Sequence, residues 1–215
     1  MLFHLVKKDF LLSKRYLKVM LIASFAIPIF MTFKVDFISG GFFPFFLSTL
    51  YIQYLLFNSV SMFEYKYKGA ALLCATPYTR KALVKSKYLF LLAIFVCCYI
   101  VYTITALLIS GKIEMLSISE FGFSLFILSI IFGAIIPIQY YFGYEKSKYI
   151  FMFFIFITPF VSPFIIKVMQ TNNINFQTTL PFPKIVQDLF PCLLALAIGL
   201  LSMTISIRIY SKENL

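Results

Sequence analysis

Charge is what this sequence has least of. Charged residues make up 13% of its 215 positions, and only 8 of them are acidic. An ordinary soluble domain carries about a quarter charged residues. Hydrophobic residues reach 61%. A water-soluble fold would have too little polar surface to cover that much Phe, Ile and Leu, so a soluble enzyme, a nucleic-acid-binding domain and a disordered chain are excluded. Histidine is nearly absent: His4 stands alone, in a lysine-rich stretch. A His-based zinc site, an HExxH motif and a Ser-His-Asp triad are therefore improbable. The four cysteines, Cys74, Cys97, Cys98 and Cys192, follow no metal-ligand spacing. Adjacent Cys97 and Cys98 lie in an apolar run, where cysteine behaves as a small hydrophobe. No GxxxxGK[ST] loop is present to bind ATP. What remains is an all-α, polytopic membrane protein in a single transmembrane domain, 1–215.

The gaps between charges give the spans. Uncharged runs of 15, 27, 24, 24, 18 and 19 residues lie between Lys18 and Lys34, Asp36 and Glu64, Lys87 and Lys112, Glu120 and Glu145, Lys148 and Lys167, and Asp188 and Arg208. A spanning helix needs about 17–25 residues. The first run is short, but its flanking lysines can snorkel to the two interfaces. Six spans are predicted, near 19–33, 42–63, 88–110, 121–143, 149–167 and 189–208. The stretch before the sixth span is rich in Gln, Asn and Thr. It is read as an outer polar loop, 170–188, or a shallow re-entrant element.

With six spans both termini share a side. Fifteen lysines and arginines fall on that side and four on the other. The excess assigns both termini of this multi-pass cell-membrane protein to the cytoplasm. No cleavable signal peptide is expected, because the first apolar run starts late. The basic charge orients the chain and attracts anionic lipid; it does not read as a nucleic-acid surface.

Two cytoplasmic segments stand out. On a helical wheel, residues 1–18 gather His4, Lys7, Lys8, Lys14, Arg15 and Lys18 on one side, with Leu2, Phe3, Leu5, Val6, Phe10 and Leu12 opposite. Asp9 and Ser13 interrupt the apolar face. The pattern predicts a helix lying in the cytoplasmic interface. The second segment is 64–87, the longest cytoplasmic connection. Tyr67–Ala75 is helix-compatible, Pro77 disfavours helix in the residue before it, and Thr79 can cap a new helix from Arg80. Leu72 and Leu73 on such a short helix would face water unless a partner docks there or the helix lies on the membrane.

No driving force resides in the chain. Between their flanking charges the six spans hold no Asp, Glu, Lys, Arg or His. Ion-coupled transporters bury such groups, and intramembrane hydrolases need an activated nucleophile or a metal. If this protein moves a substrate uphill, another chain supplies the energy.

These residues support a resemblance. The opening FHLVKKDFLLSKRY (Phe3–Tyr16), the loop LLCATPYTRKALVKSKYL (Leu72–Leu89) and the ending ISIRIYSKENL (Ile205–Leu215) are similar to the corresponding stretches of ABC-2 type transporter permeases. Cys74-Ala75 stands where the loop pattern of that family has Ser-Leu. In size and style the chain also resembles the membrane subunits of phenol-soluble modulin exporters. The resemblance implies a coupling helix between spans two and three, carried by Lys68, Gly69, Ala71, Leu72, Leu73, Ala75, Thr76 and Pro77. It implies partners: an ABC ATPase subunit, which would hold ATP and Mg, and a second permease in a homo- or heterodimer. No cofactor is expected in this chain. It further implies a pathway along spans one, two and five, with Tyr51, Tyr54, Phe57 and Asn58 in span two and the kink-forming Pro159 and Pro163 in span five as candidates. The expected function is the permease half of an ATP-driven exporter for an amphipathic or hydrophobic substrate such as a cytolytic peptide, a lipid or a drug. The alternative is a membrane-embedded immunity or sensor protein that binds a peptide without transporting it.

Overall fold

The structure, a computed structural model, describes residues 2–34, 41–67, 79–109, 113–171 and 184–212. The described residues form helices and no strand: α1 Leu2–Leu12, α2 Lys14–Lys34, α3 Phe42–Lys66, α4 Arg80–Leu108, α5 Ile118–Phe142, α6 Tyr144–Thr171 and α7 Lys184–Lys212. Helices dominate because lipid offers the backbone no hydrogen-bonding partner, so each segment must satisfy its own N–H and C=O groups. Four of them are long and apolar enough to cross a membrane by length and composition: Phe42–Lys66, Arg80–Leu108, Ile118–Phe142 and Asp188–Lys212.

The helix ends follow local chemistry. Thr79 caps α4, its hydroxyl accepting from the Ala82 N–H, as the sequence predicts. Ser117 and Glu120 form a reciprocal capping box at the start of α5. Gly143 closes α5 with φ +78° and ψ 165°, a conformation open to glycine alone, and α6 begins at the next residue. The turn expected around Glu145–Lys148 is therefore compressed into that one glycine, and those charges lie in the first turns of α6.

The N-terminal segment also differs from expectation. The interfacial helix predicted over 1–18 ends at Leu12; after a turn at Ser13, residues 14–18 belong to the first turns of α2. Ser13 is fully buried and its hydroxyl lies 3.0 Å from the Asp9 carbonyl and 3.2 Å from the Phe10 carbonyl, so the helix turns over without exposing polar backbone.

Packing is built around α3. Phe45, Leu50, Val60 and most of their neighbours on this helix are buried, against Phe90, Phe95 and Tyr102 of α4 and Phe132 and Ile136 of α5. Edge-to-face ring contacts join Phe45 to Phe95 and Tyr102, and Phe57 to Phe132. The most extensive helix pair is α5 with α7. Between apolar helices in lipid, close approach and hydrogen bonds drive association, and small residues permit both. A Cβ at Gly122 would lie 3.1 Å from the Cys192 sulfur and 3.3 Å from the Pro191 Cβ. Three turns on, Ser202 of α7 donates to the Gly133 carbonyl at 2.6 Å. The outer faces of α6 and α7 present Phe153, Phe154, Phe156, Leu193 and Leu201 outward. Such a surface would aggregate in water and is ordinary against acyl chains.

Candidate functional site

The cluster with the most unusual chemistry lies where α1, the end of α3 and the start of α4 meet. Lys87 of α4 reaches Asp9 of α1 at 3.2 Å and Glu64 of α3 at 2.8 Å. Lys8 of α1 reaches the same Glu64 oxygen at 2.7 Å and Asp9 at 3.1 Å. Two cations and two carboxylates therefore interlock, and their charges cancel. Asp9 is 0% exposed and the Lys87 side chain 8%. Burying single charges costs several kcal/mol each, so such groups persist only when paired. Burial works against the Lys8 ammonium, yet the Glu64 and Asp9 carboxylates outweigh it and hold its pKa above the usual lysine value. The second Asp9 oxygen, Oδ2, is buried without a hydrogen-bond partner among the described residues.

An apolar collar surrounds the ions. Leu5 of α1 packs with Leu83 and Val84 of α4 and Tyr210 of α7. Phe10 of α1 meets Phe90 of α4 edge-to-face at 5.0 Å. Thus α1 is bolted to the bundle by a charged and an apolar contact together, where the wheel argument had laid it on a lipid surface. Lys8 and Lys87 had been counted as topology charges and Asp9 as a flaw in the apolar face. An acid on the apolar side of a surface helix is the one local signal that could have flagged a buried partner.

This cluster brackets the connection between α3 and α4. Glu64 lies in the last turn of α3, and Lys87 about two turns into α4. The predicted coupling residues Lys68, Gly69, Ala71, Leu72, Leu73, Ala75, Thr76 and Pro77 lie outside the described residues.

The pathway candidates divide between two faces of α3. Tyr51 donates to the Ile155 carbonyl of α6 at 3.1 Å, and Asn58 accepts from the Tyr144 hydroxyl of α6 at 3.1 Å. Both side chains are half-buried at the α3–α6 seam. Tyr54 and Phe57 are buried, Phe57 against Phe132 of α5. Pro159 and Pro163 fall within α6, which continues helical through both; the placement of their side chains is outside the description. Sequence reasoning missed Gln53, whose amide nitrogen donates to the Leu91 carbonyl at 3.1 Å and stitches α3 to α4. It also missed Tyr88, whose hydroxyl pairs with Ser202 at 2.7 Å and Ser206 at 2.9 Å of α7. Among the described residues no group of His, Cys, Asp and Glu side chains could hold a metal ion.

A bundle of long apolar helices, tied at one end by a neutral ion cluster, defines an integral membrane protein. Residues 4–211 match the family described as ABC-2 family transporter protein. The chain belongs to that family and is a membrane component of the ABC-2 permease type. No curated protein and no solved structure matches it.

Proposed function

We propose that this chain is the permease subunit of an ATP-binding cassette exporter, with six spans, cytoplasmic termini and a coupling helix over about Lys68–Thr76, ended by Pro77. A separate ATPase, holding ATP and Mg, docks on that helix, and a second permease completes the pathway in the membrane. The substrate is amphipathic or hydrophobic, a cytolytic peptide, a lipid or a drug, because the spans carry no fixed charge between their flanking residues.

The observation that carries the reading is the ion cluster astride the cytoplasmic connection. A push on residues 68–78 enters the bundle through the end of α3 and the start of α4. Glu64 and Lys87 join those two ends to each other, and Lys8 and Asp9 join both to α1. Force applied at the loop therefore moves α1, α3 and α4 as one body. Severing the cluster would let the loop move without dragging the spans.

The test is purification of the full chain with its associated proteins, followed by ATPase and transport assays in vesicles. Replacing both Leu72 and Leu73 by Glu is expected to release the ATPase. Lys87→Met is expected to retain the ATPase and its basal hydrolysis while abolishing transport. Purification free of any ATPase, with tight capture of a peptide, would instead favour the immunity or sensor reading.

A further inference from the structure

A cavity of about 350 Å³ opens between α3, α4, α5 and α7, away from the α3–α6 seam. Its walls are almost wholly apolar: Leu92 and Phe95 of α4, Leu128 of α5, and Leu196 and Leu200 of α7 among them. Its shape follows from the helices. The α4 residues on its wall run from Lys85 to Phe95. At 1.5 Å per residue that is about 15 Å along the axis, half of a hydrocarbon core about 30 Å thick. The cavity is thus as deep as one leaflet. Gly199 lies on its wall, and a Cβ built there meets nothing within 4 Å. The missing side chain keeps the space open.

At one end stands Lys85. It is the one charged residue on the lining, it is exposed, and it makes no ion pair among the described residues. It lies two residues from Lys87, so the mouth is level with the ion cluster and with the end of α1, whose Leu2 also borders the cavity. We propose that this cavity is a binding site for one anionic phospholipid of the adjoining leaflet, its headgroup phosphate on Lys85 and one acyl chain in the slot between α4 and α7. Each half of the site fits one half of that molecule: a dry, leaflet-deep slot takes the chain, and a lone cation at the interface takes the phosphate. The lipid would wedge α4 against α7 beside the Tyr88–Ser202 hydrogen bond, and so brace the helix that carries Lys87.

The chain contains no tryptophan, so an introduced one reports without background. The full chain carrying Leu196→Trp is reconstituted in phosphatidylcholine vesicles containing small fractions of phosphatidylglycerol or phosphatidylcholine brominated on the acyl chain. Half-maximal quenching is expected at about fivefold lower fraction of the brominated phosphatidylglycerol, the discrimination one lysine near the interface provides. Lys85→Gln should erase that preference. Phe154→Trp, on the outward face of α6, should quench equally with both lipids. Equal quenching at Leu196→Trp, or the same preference at Phe154→Trp, would overturn the proposal, since the latter reflects only the net charge of +11. A second readout needs no reporter: mass spectrometry of the detergent-purified chain should find a retained phosphatidylglycerol that Gly199→Leu, which fills the slot, displaces. Undiminished retention by that variant would count against the site.

Discussion

At one end of the bundle four charged side chains lock α1, α3 and α4 together, with Asp9 wholly buried. At the other end the same helices α3 and α4 are joined without charge. There the buried Tyr102 hydroxyl lies 3.1 Å from the Gly41 carbonyl and 3.2 Å from that of Glu114, and its one hydrogen serves both. Gly41 makes this possible, since a Cβ on it would come within 2.7 Å of the Glu114 oxygen and 2.8 Å of the Tyr102 hydroxyl. The contrast separates two ways of closing a helix bundle. The ionic end is costly to disturb, because any one loss leaves an opposite charge stranded. The neutral end loses only a hydrogen bond of ordinary worth. The ionic end also adjoins the connection between α3 and α4.

The sharpest way to break this comparison is Lys87→Met. It leaves the Asp9 and Glu64 carboxylates to share Lys8 alone, so one buried negative charge goes uncompensated, and should cost about 3–5 kcal/mol, read as a lowered unfolding midpoint in detergent. Adding Asp9→Leu should return a large part of that loss, because an apolar pair replaces a buried ion pair at little cost. A double variant as unstable as the single would show that the cluster is not held by mutual compensation. At the neutral end Gly41→Ala should cost about 1–3 kcal/mol by forcing apart a close approach, measured the same way. Tyr102→Phe should cost about 1 kcal/mol; a loss equal to that of Lys87→Met would erase the distinction between the ends. Smallest of all, Ser117→Ala removes the exposed capping box of α5 for about 0.5–1 kcal/mol, read from the same unfolding midpoint, with no effect on the ionic end.

Much of the architecture was legible because the bilayer imposes it. Long charge-free runs can only be helices in lipid, and Thr79 sits where helix chemistry needs a cap. The α1–α2 boundary is misjudged in sequence because Ser13 reads as one more polar interruption of an amphipathic face, and only its burial marks the turn. The ion cluster was illegible for a different reason. Its members are separated by 23, 56 and 78 positions, so no local periodicity relates them. Glu64 and Lys87 also have a bland role as charges flanking spans, and Lys8 as one of the basic residues of the N-terminal helix. Tyr51 and Asn58 were drawn from the same helix as Phe57, but only tertiary packing sends the first two to α6 and the third to α5.

The cancelling charges of the cluster have a bioenergetic corollary. Shifting one elementary charge through the field of an energised membrane costs about 2.3 kcal/mol per 100 mV. Lys8, Asp9, Glu64 and Lys87 form a zero-sum quartet. Displacing the four together would carry no net charge through that field.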